Sequence, residues 1–169
     1  DALRGTQDAL TERCLDLVLS SPGAVRPSPA LLLDAGCGCG YSSAVVRRRL
    51  PNTCVLGVDV SLEMLRSATG AMAQEGVGAS MARLPLRRGR AFDAGVSVSA
   101  LQWLESEDDL LRFFRDLRGC CTPHARFVAQ FYPASVAHAQ RTTAAASSAG
   151  FSARLVVDFP IGNARKFFL

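Results

Sequence analysis

The segment Asp34-Ala35-Gly36-Cys37-Gly38-Cys39-Gly40, set directly after the apolar run Leu31-Leu32-Leu33, constrains the fold more than any other feature of the chain. A short continuous apolar run suits a strand covered on both faces. Glycines at alternate positions let the backbone turn sharply and pass close under a ligand, where a β-carbon would clash. An acid, Asp34, closes the strand, and a second acid, Asp59, falls at the end of a second apolar run from Val55 to Val60. The first can accept hydrogen bonds from an amino group or an ordered water. The second suits the two ribose hydroxyls of an adenosine cofactor, as in nucleotide-binding α/β sheets.

The rest of the chain alternates strand and helix signals. Leu10, Cys14, Leu17 and Val18 are spaced for an amphipathic helix over 7–19, and Ser- and Pro-rich residues 20–30 form a break. Ser42 or Ser43 is expected to cap a helix that runs to Leu50 and is ended by Pro51-Asn52. Ser61 caps the next, which carries Leu62, Met64, Leu65 and Ala68. Residues 76–82 read as a weak third strand and Phe92 to Val98 as a fourth. Leu110, Phe113, Phe114 and Leu117 form a helical stripe with Arg112, Arg115 and Arg118 off it. Arg126 to Phe131 is a fifth strand, 134–149 an Ala-rich helix stopped by Gly150, and Leu155–Phe159 with Lys166–Leu169 a closing strand pair. This order predicts a doubly wound α/β sheet. Residues 1–169 are expected to form a single domain, of a size one core can hold. The first residue is not Met and the last four read as mid-strand, so further residues are expected at both ends.

Charge and cysteine content narrow the function classes only a little. The net charge is +4, carried almost wholly by arginine, with Lys166 the only lysine. Arginine suits phosphate and guanine edges, and a GC-rich genome writes the same bias. The loop Arg83–Arg90 is basic, through Arg83, Arg87, Arg88 and Arg90. It is either a solvated loop or a contact for RNA. Of the six cysteines, Cys37 and Cys39 lie in the glycine loop and Cys120 and Cys121 are adjacent. None has a zinc or redox spacing, so no metal site is expected, and they read as reduced thiols of an intracellular protein. No apolar run approaches the roughly 18 residues of a membrane span.

A dinucleotide loop requires G-x-G-x-x-G, and Tyr41 stands where its third glycine would fall. The pattern D-x-G-x-G-x-G resembles motif I of the class I S-adenosylmethionine-dependent methyltransferases. That resemblance implies a Rossmann-like, mostly parallel seven-stranded sheet with an antiparallel last strand, and S-adenosylmethionine as cofactor. The cofactor-binding residues it implies are Asp34, Ala35, Gly36, Cys37, Gly38, Gly40, Asp59, Val60, Ser80, Met81 and Ser97.

The acceptor segment after the fourth strand is Ser97-Val98-Ser99-Ala100-Leu101-Gln102-Trp103-Leu104. It lacks the Asn/Asp-Pro-Pro-aromatic motif of amino-nitrogen methyltransferases of nucleic acids. It also lacks the nucleophilic Cys that carbon-5 pyrimidine enzymes need. This segment, together with Leu84–Gly89 before Phe92-Asp93, Arg126–Pro133, Gly150-Phe151, Leu155–Pro160 and Lys166–Leu169, is similar to the eukaryotic 18S rRNA guanine-N7 methyltransferase family. The resemblance covers most of the chain. It implies methylation of one guanine in small-subunit rRNA, a role in small-subunit maturation, and a heterodimer with a small zinc-binding activator. It implies residence in the nucleus or nucleolus and the cytoplasm.

Guanine N7 carries a lone pair and no proton, so its methylation needs positioning and water exclusion rather than a base. Gln102, Trp103 and Tyr132 are therefore the acceptor-positioning residues, with no His or Glu beside them in the sequence. Trp103 either stacks on a splayed-out base or packs in the core, and Phe131 and Tyr132 either form a second wall or pack likewise. Ser80 stands where the family usually has an Asp, and a hydroxyl accepts from the adenine amino group more weakly than a carboxylate. The loop from Trp103 to Leu110 is also short for the family. Two rivals share the sequence features. One is a small-molecule methyltransferase of the same fold. The other is a ribosome-assembly factor whose binding outweighs its catalysis.

Overall fold

The computed structural model describes residues 2–20, 29–68, 75–89 and 91–169. The elements in chain order are α1 (Ala2–Leu19), β1 (Leu31–Ala35), α2 (Tyr41–Arg49), β2 (Cys54–Asp59), α3 (Leu62–Ser67) and β3 (Gly76–Gly78). A 3-10 turn at Met81–Arg83 leads to β4 (Phe92–Val98), and a second at Leu101–Trp103 leads to α4 (Glu107–Cys120). Then follow β5 (Cys121–Phe131), α5 (Val136–Ser148), β6 (Val156–Ile161) and β7 (Ala164–Phe168). They form one seven-stranded sheet of order β3-β2-β1-β4-β5-β7-β6. Pairing is parallel from β3 through β5, while β7 runs antiparallel to both β5 and β6. The doubly wound sheet with an antiparallel last strand is therefore as expected.

The strand pleat sorts the side chains to two cores. Leu32, Val55, Ala94, Val96 and Val98 face Leu10, Cys14, Leu15 and Val18 of α1 and Val45 and Val46 of α2. Leu33, Ala35, Val58 and Ala129 face the Leu110, Phe113, Phe114 and Leu117 stripe of α4 and the 3-10 turns. Phe113 makes edge-on contacts with Phe114 and Phe127 at ring separations of 5.1 and 5.8 Å. Such rings bury a large apolar area each, and edge-on pairs add a little beyond that area. The period of two also directs Asp34 to the Leu32 face, toward the start of α2.

Several boundaries differ from the sequence reading. The first helix begins before residue 7, at Ala2, and the fifth strand at Cys121 rather than Arg126. The third strand is only Gly76–Gly78; beyond it Ser80 starts a 3-10 turn, its hydroxyl accepting from the Ala82 amide. Neither Ser42 nor Ser43 caps α2. Its cap is Gly40 in the left-handed region (φ 86°), with no side-chain hydrogen bond. Ser61 caps α3 as expected, accepting from the Met64 amide at 3.2 Å. Most of the expected break at 20–30, and Arg90, lie outside the described residues.

Candidate functional site

In an open α/β sheet, ligands bind beyond the carboxyl ends of the strands, where the strand order reverses. Here that point lies between β1 and β4, and the glycine loop leaves β1 there. The loop folds over β2: the amides of Gly36 and Cys37 both donate to the Val58 carbonyl, at 2.7 and 3.2 Å. Gly36 (φ 76°) and Gly38 (φ 54°) take left-handed conformations that other residues rarely adopt. At Gly36 space forbids a side chain as well, since a β-carbon there would come within 2.2 Å of Ala100 Cβ; at Gly38 it would meet only the movable end of Met64, Cε at 2.7 Å.

The two strand-end acids act differently. Asp59 straps the loop: its Oδ2 accepts from the Gly38 amide at 2.8 Å and its Oδ1 from the Ser61 amide at 2.8 Å. A carboxylate has about four acceptor positions, so each oxygen keeps one for a further donor. Asp34 has no exposed surface. Its Oδ2 accepts from the hydroxyls of Ser42 (2.6 Å) and Ser43 (2.5 Å), the two serines expected as caps. Its Oδ1 is buried with no hydrogen-bond partner. Burial raises its pKa to about 6, against the lowering effect of the two serines. The Ser97 hydroxyl, on β4, is likewise buried without a partner.

These features fit S-adenosylmethionine. An orphaned carboxylate oxygen calls for a donor such as an amino group. With no side chain on its cap, the first-turn amides of α2 are free to meet a carboxylate at the positive end of the helix. Burial raises the Cys37 thiol above its ordinary range, with Asp34 and Asp59 adding to the shift, so this loop residue is a neutral thiol rather than a nucleophile. Met81 is buried with its sulfur near Gly36, whereas Val60 and Ser80 stay exposed.

A hydrogen-bond chain joins the exits of β4 and β5. Gln130, fully buried, accepts from both the amide and the hydroxyl of Ser99 through Oε1, at 3.1 and 2.9 Å. Ser99 is held at φ 56°, among the described residues the only non-glycine in that region. Such strain persists only where the surroundings impose it. Gln102 then donates from Nε2 to the Ser99 carbonyl at 2.8 Å and accepts from the Tyr132 amide through Oε1 at 3.4 Å. The chain thus brings Gln102 and Tyr132 together. Trp103 stands outside it, 75% exposed, so it is not a core aromatic. Tyr132 is also exposed, with the Lys166 ammonium 4.8 Å from its ring centre. Of the two alternatives open for Phe131, it takes the packed one: it is fully buried and forms no wall.

Sequence reasoning missed Ser99, Gln130 and His138. Gln130 had a signal, since it is the one polar side chain in the apolar run Val128 to Phe131. The nearest His in space is His138, edge-on to Phe131 with ring centres 6.3 Å apart. Its Nδ1 accepts from the Ala134 amide at 3.1 Å, which leaves Nε2 to carry the hydrogen when the ring is neutral. In that state Nε2 is a donor and not a base.

Comparison with known proteins bears on the same residues. A family model described as a methyltransferase domain matches residues 33–129. A mouse protein named 18S rRNA (guanine-N(7))-methyltransferase is 34% identical over 96% of this chain and 59% of its own. A Saccharomyces cerevisiae protein named 18S rRNA (guanine(1575)-N(7))-methyltransferase is 34% identical over 91% of this chain and 57% of its own. The chain thus spans somewhat over half the length of these relatives. The solved structure of a SAM-dependent methyltransferase from Leishmania major superposes with a TM-score of 0.76 at 16% identity, covering 97% of this chain and 72% of that one, which is a likeness of fold.

Proposed function

The chain belongs to the class I S-adenosylmethionine-dependent methyltransferases, and from that membership we propose that it methylates N7 of a guanine in small-subunit rRNA. The observation that carries the acceptor is the 34% identity, over nearly all of this chain, to proteins named for that reaction. The site's chemistry supports it. Gln102 is spent on backbone hydrogen bonds and Trp103 is exposed. Such groups position an acceptor, and guanine N7, which has no proton to lose, asks for positioning and not for a base.

Asp34, Ala35, Gly36, Cys37, Gly38, Gly40, Asp59, Val60, Ser80, Met81 and Ser97 would hold the cofactor. When bound, it supplies an electrophilic methyl group on a sulfonium. Asp34 would meet its amino group, the α2 amides its carboxylate and Asp59 its ribose. Gln102, with Gln130 and Ser99 behind it, fixes the spacing of the β4 and β5 exits. Trp103 gives the base a flat face, and methylation at N7 makes that base cationic, which strengthens its attraction to an indole. Positioning of this kind is worth up to about 7–11 kcal/mol of barrier.

In this reading residues 1–169 are one methyltransferase domain acting in the nucleus and cytoplasm. It pairs through the outer edge of β3 with a small zinc-binding activator. That strand is at the sheet edge and bears no charge, and an unguarded edge invites a partner strand. Among the described residues no helix is long and apolar enough to cross a membrane, and no cluster of His, Cys, Asp and Glu could hold a metal. Transfer of tritiated methyl groups to small-subunit rRNA, followed by mapping of the modified base, tests the function. Label confined to one guanine at N7 is expected; label on another atom, or none on RNA, refutes it.

A further inference from the structure

Five arginines of the described residues stand in ion pairs. Those of α2 are neutralised: Arg47 pairs with Glu75, Arg48 with Asp8 and Glu12, and Arg49 with Glu12 and Asp16. Arg13 and Arg141 pair with Asp158 and Glu107. None of these ion pairs includes Arg88, Arg115 or Arg118, and those three border one recess of about 550 Å³ with Gly119 and Ala149. Arg88 comes from the loop before β4, and Arg115 and Arg118 from α4. The Arg88 side chain lies against Gly119, where a β-carbon would stand 3.1 Å from Arg88 Cγ and 3.4 Å from Nε.

Three like charges around one recess repel one another and need a counter-charge. The ends of α4 and α5 reach it through Gly119 and Ala149. Each helix end offers about half a negative charge, so together about −1 against three guanidinium groups. Asp116, on the same helix, does not border the recess and forms no ion pair among the described residues. The surplus stays positive. It also continues along the rim, because Arg118 borders a neighbouring cavity of about 690 Å³ lined by His124, Arg126 and Arg154.

We propose that the Arg88–Arg115–Arg118 recess binds the phosphate backbone of the RNA acceptor, at the rim of the sheet opposite the methyl-transfer site. The three arginines lie at the amino ends of β4 and β5, whereas Asp34, Asp59 and Trp103 lie at or beyond the carboxyl ends of β1, β2 and β4. A strand the length of β4 spans about 23 Å at about 3.3 Å per residue. Only a long acceptor reaches both ends, so the recess selects a polymer and anchors it away from the reacting base. Planar guanidinium forks suit phosphate oxygens bidentately. The inference rests on the rRNA reading.

The test is binding of a small-subunit rRNA transcript to the 169-residue chain and to its Arg88→Gln/Arg115→Gln/Arg118→Gln variant, by fluorescence anisotropy from about 50 to 200 mM salt. Loss of three phosphate contacts should lower the slope of log affinity against log salt by about 2 to 3, and affinity at low salt by about tenfold or more. Affinity for S-adenosylhomocysteine, measured by calorimetry, should not change. Arg115→Glu alone, on an exposed position, should lower the slope by about 1 if the triple variant folds poorly. Equal slopes and affinities for variant and parent would overturn the inference while leaving the rRNA reading intact. A parent chain that does not bind the transcript would overturn both. Polyglutamate that outcompetes the transcript would make the surface a protein-docking site and overturn the inference alone.

Discussion

The Ser43 hydroxyl donates to Asp34 Oδ2 at 2.5 Å, and the same carboxylate keeps its other oxygen buried and without a partner. A serine placed to cap its own helix instead holds a buried acid on the preceding strand. The acid is tolerated because two hydroxyls meet one oxygen, and the other oxygen is left with its acceptor capacity unused.

Asp34 should therefore make stability depend on pH. Burial raises its pKa from 3.8 to about 6, so the folded state holds the proton more tightly than the unfolded state. Stability from this group is greatest below about pH 4, falls as pH rises to about 6 and is level above that. The gap corresponds to about 3 kcal/mol. Urea unfolding of the parent chain and of Asp34→Asn should show a stability difference that shifts by about that amount between pH 4 and pH 7. A difference independent of pH would remove Asp34 as the source. Cofactor binding has the opposite dependence, since the ionised carboxylate is the form that meets an amino group. Affinity for S-adenosylhomocysteine should fall as pH drops below about 6.

Asp59→Ala should weaken cofactor binding by about 1–3 kcal/mol, the scale for unpairing buried polar groups. The loss has two parts, because Asp59 also accepts from Gly38 and Ser61. Asp59→Asn keeps one acceptor oxygen and should fall between the parent and Ala in calorimetric titrations. Affinity unchanged in both variants would move the ribose contact elsewhere.

Ser80→Asp should tighten cofactor binding. The Ser80 hydroxyl accepts from the Ala82 amide at 3.2 Å, and an Asp side chain can make the same turn-starting contact. It would add a charged acceptor at an exposed position next to Met81, where desolvation costs little. An unchanged or weaker affinity would show that adenine is read by other groups.

The sequence made the glycine loop's geometry legible, because glycine spacing and strand-end acids report the backbone they serve. Gly36 and Gly38 occupy left-handed positions, and Asp59 reaches the loop. What stayed hidden depends on contacts across the sheet. Ser42 and Ser43 carry a local capping signal, and only the pleat that turns Asp34 toward α2 overrides it. The Gln130–Ser99–Gln102–Tyr132 chain joins residues from two strand exits, and no local period marks a left-handed serine. Phe131 and Tyr132 are neighbours in sequence, yet the pleat buries one and exposes the other.

Trp103 is the position where exposure decides between the two readings. A large aromatic that is 75% exposed adds little to the core, so Trp103→Ala should leave the thermal midpoint within about 2 °C. If the indole stacks on the acceptor base, the same change should weaken rRNA binding or raise KM by a factor equivalent to about 1–3 kcal/mol. Trp103→Phe, which keeps an aromatic face, should recover part of that loss. The affinity for S-adenosylhomocysteine should stay that of the parent chain, since Trp103 lies on the 3-10 turn beyond β4 and not in the glycine loop. Methyl transfer to rRNA that is indifferent to Trp103→Ala would place the acceptor base against Tyr132 instead, the other exposed aromatic at these strand exits.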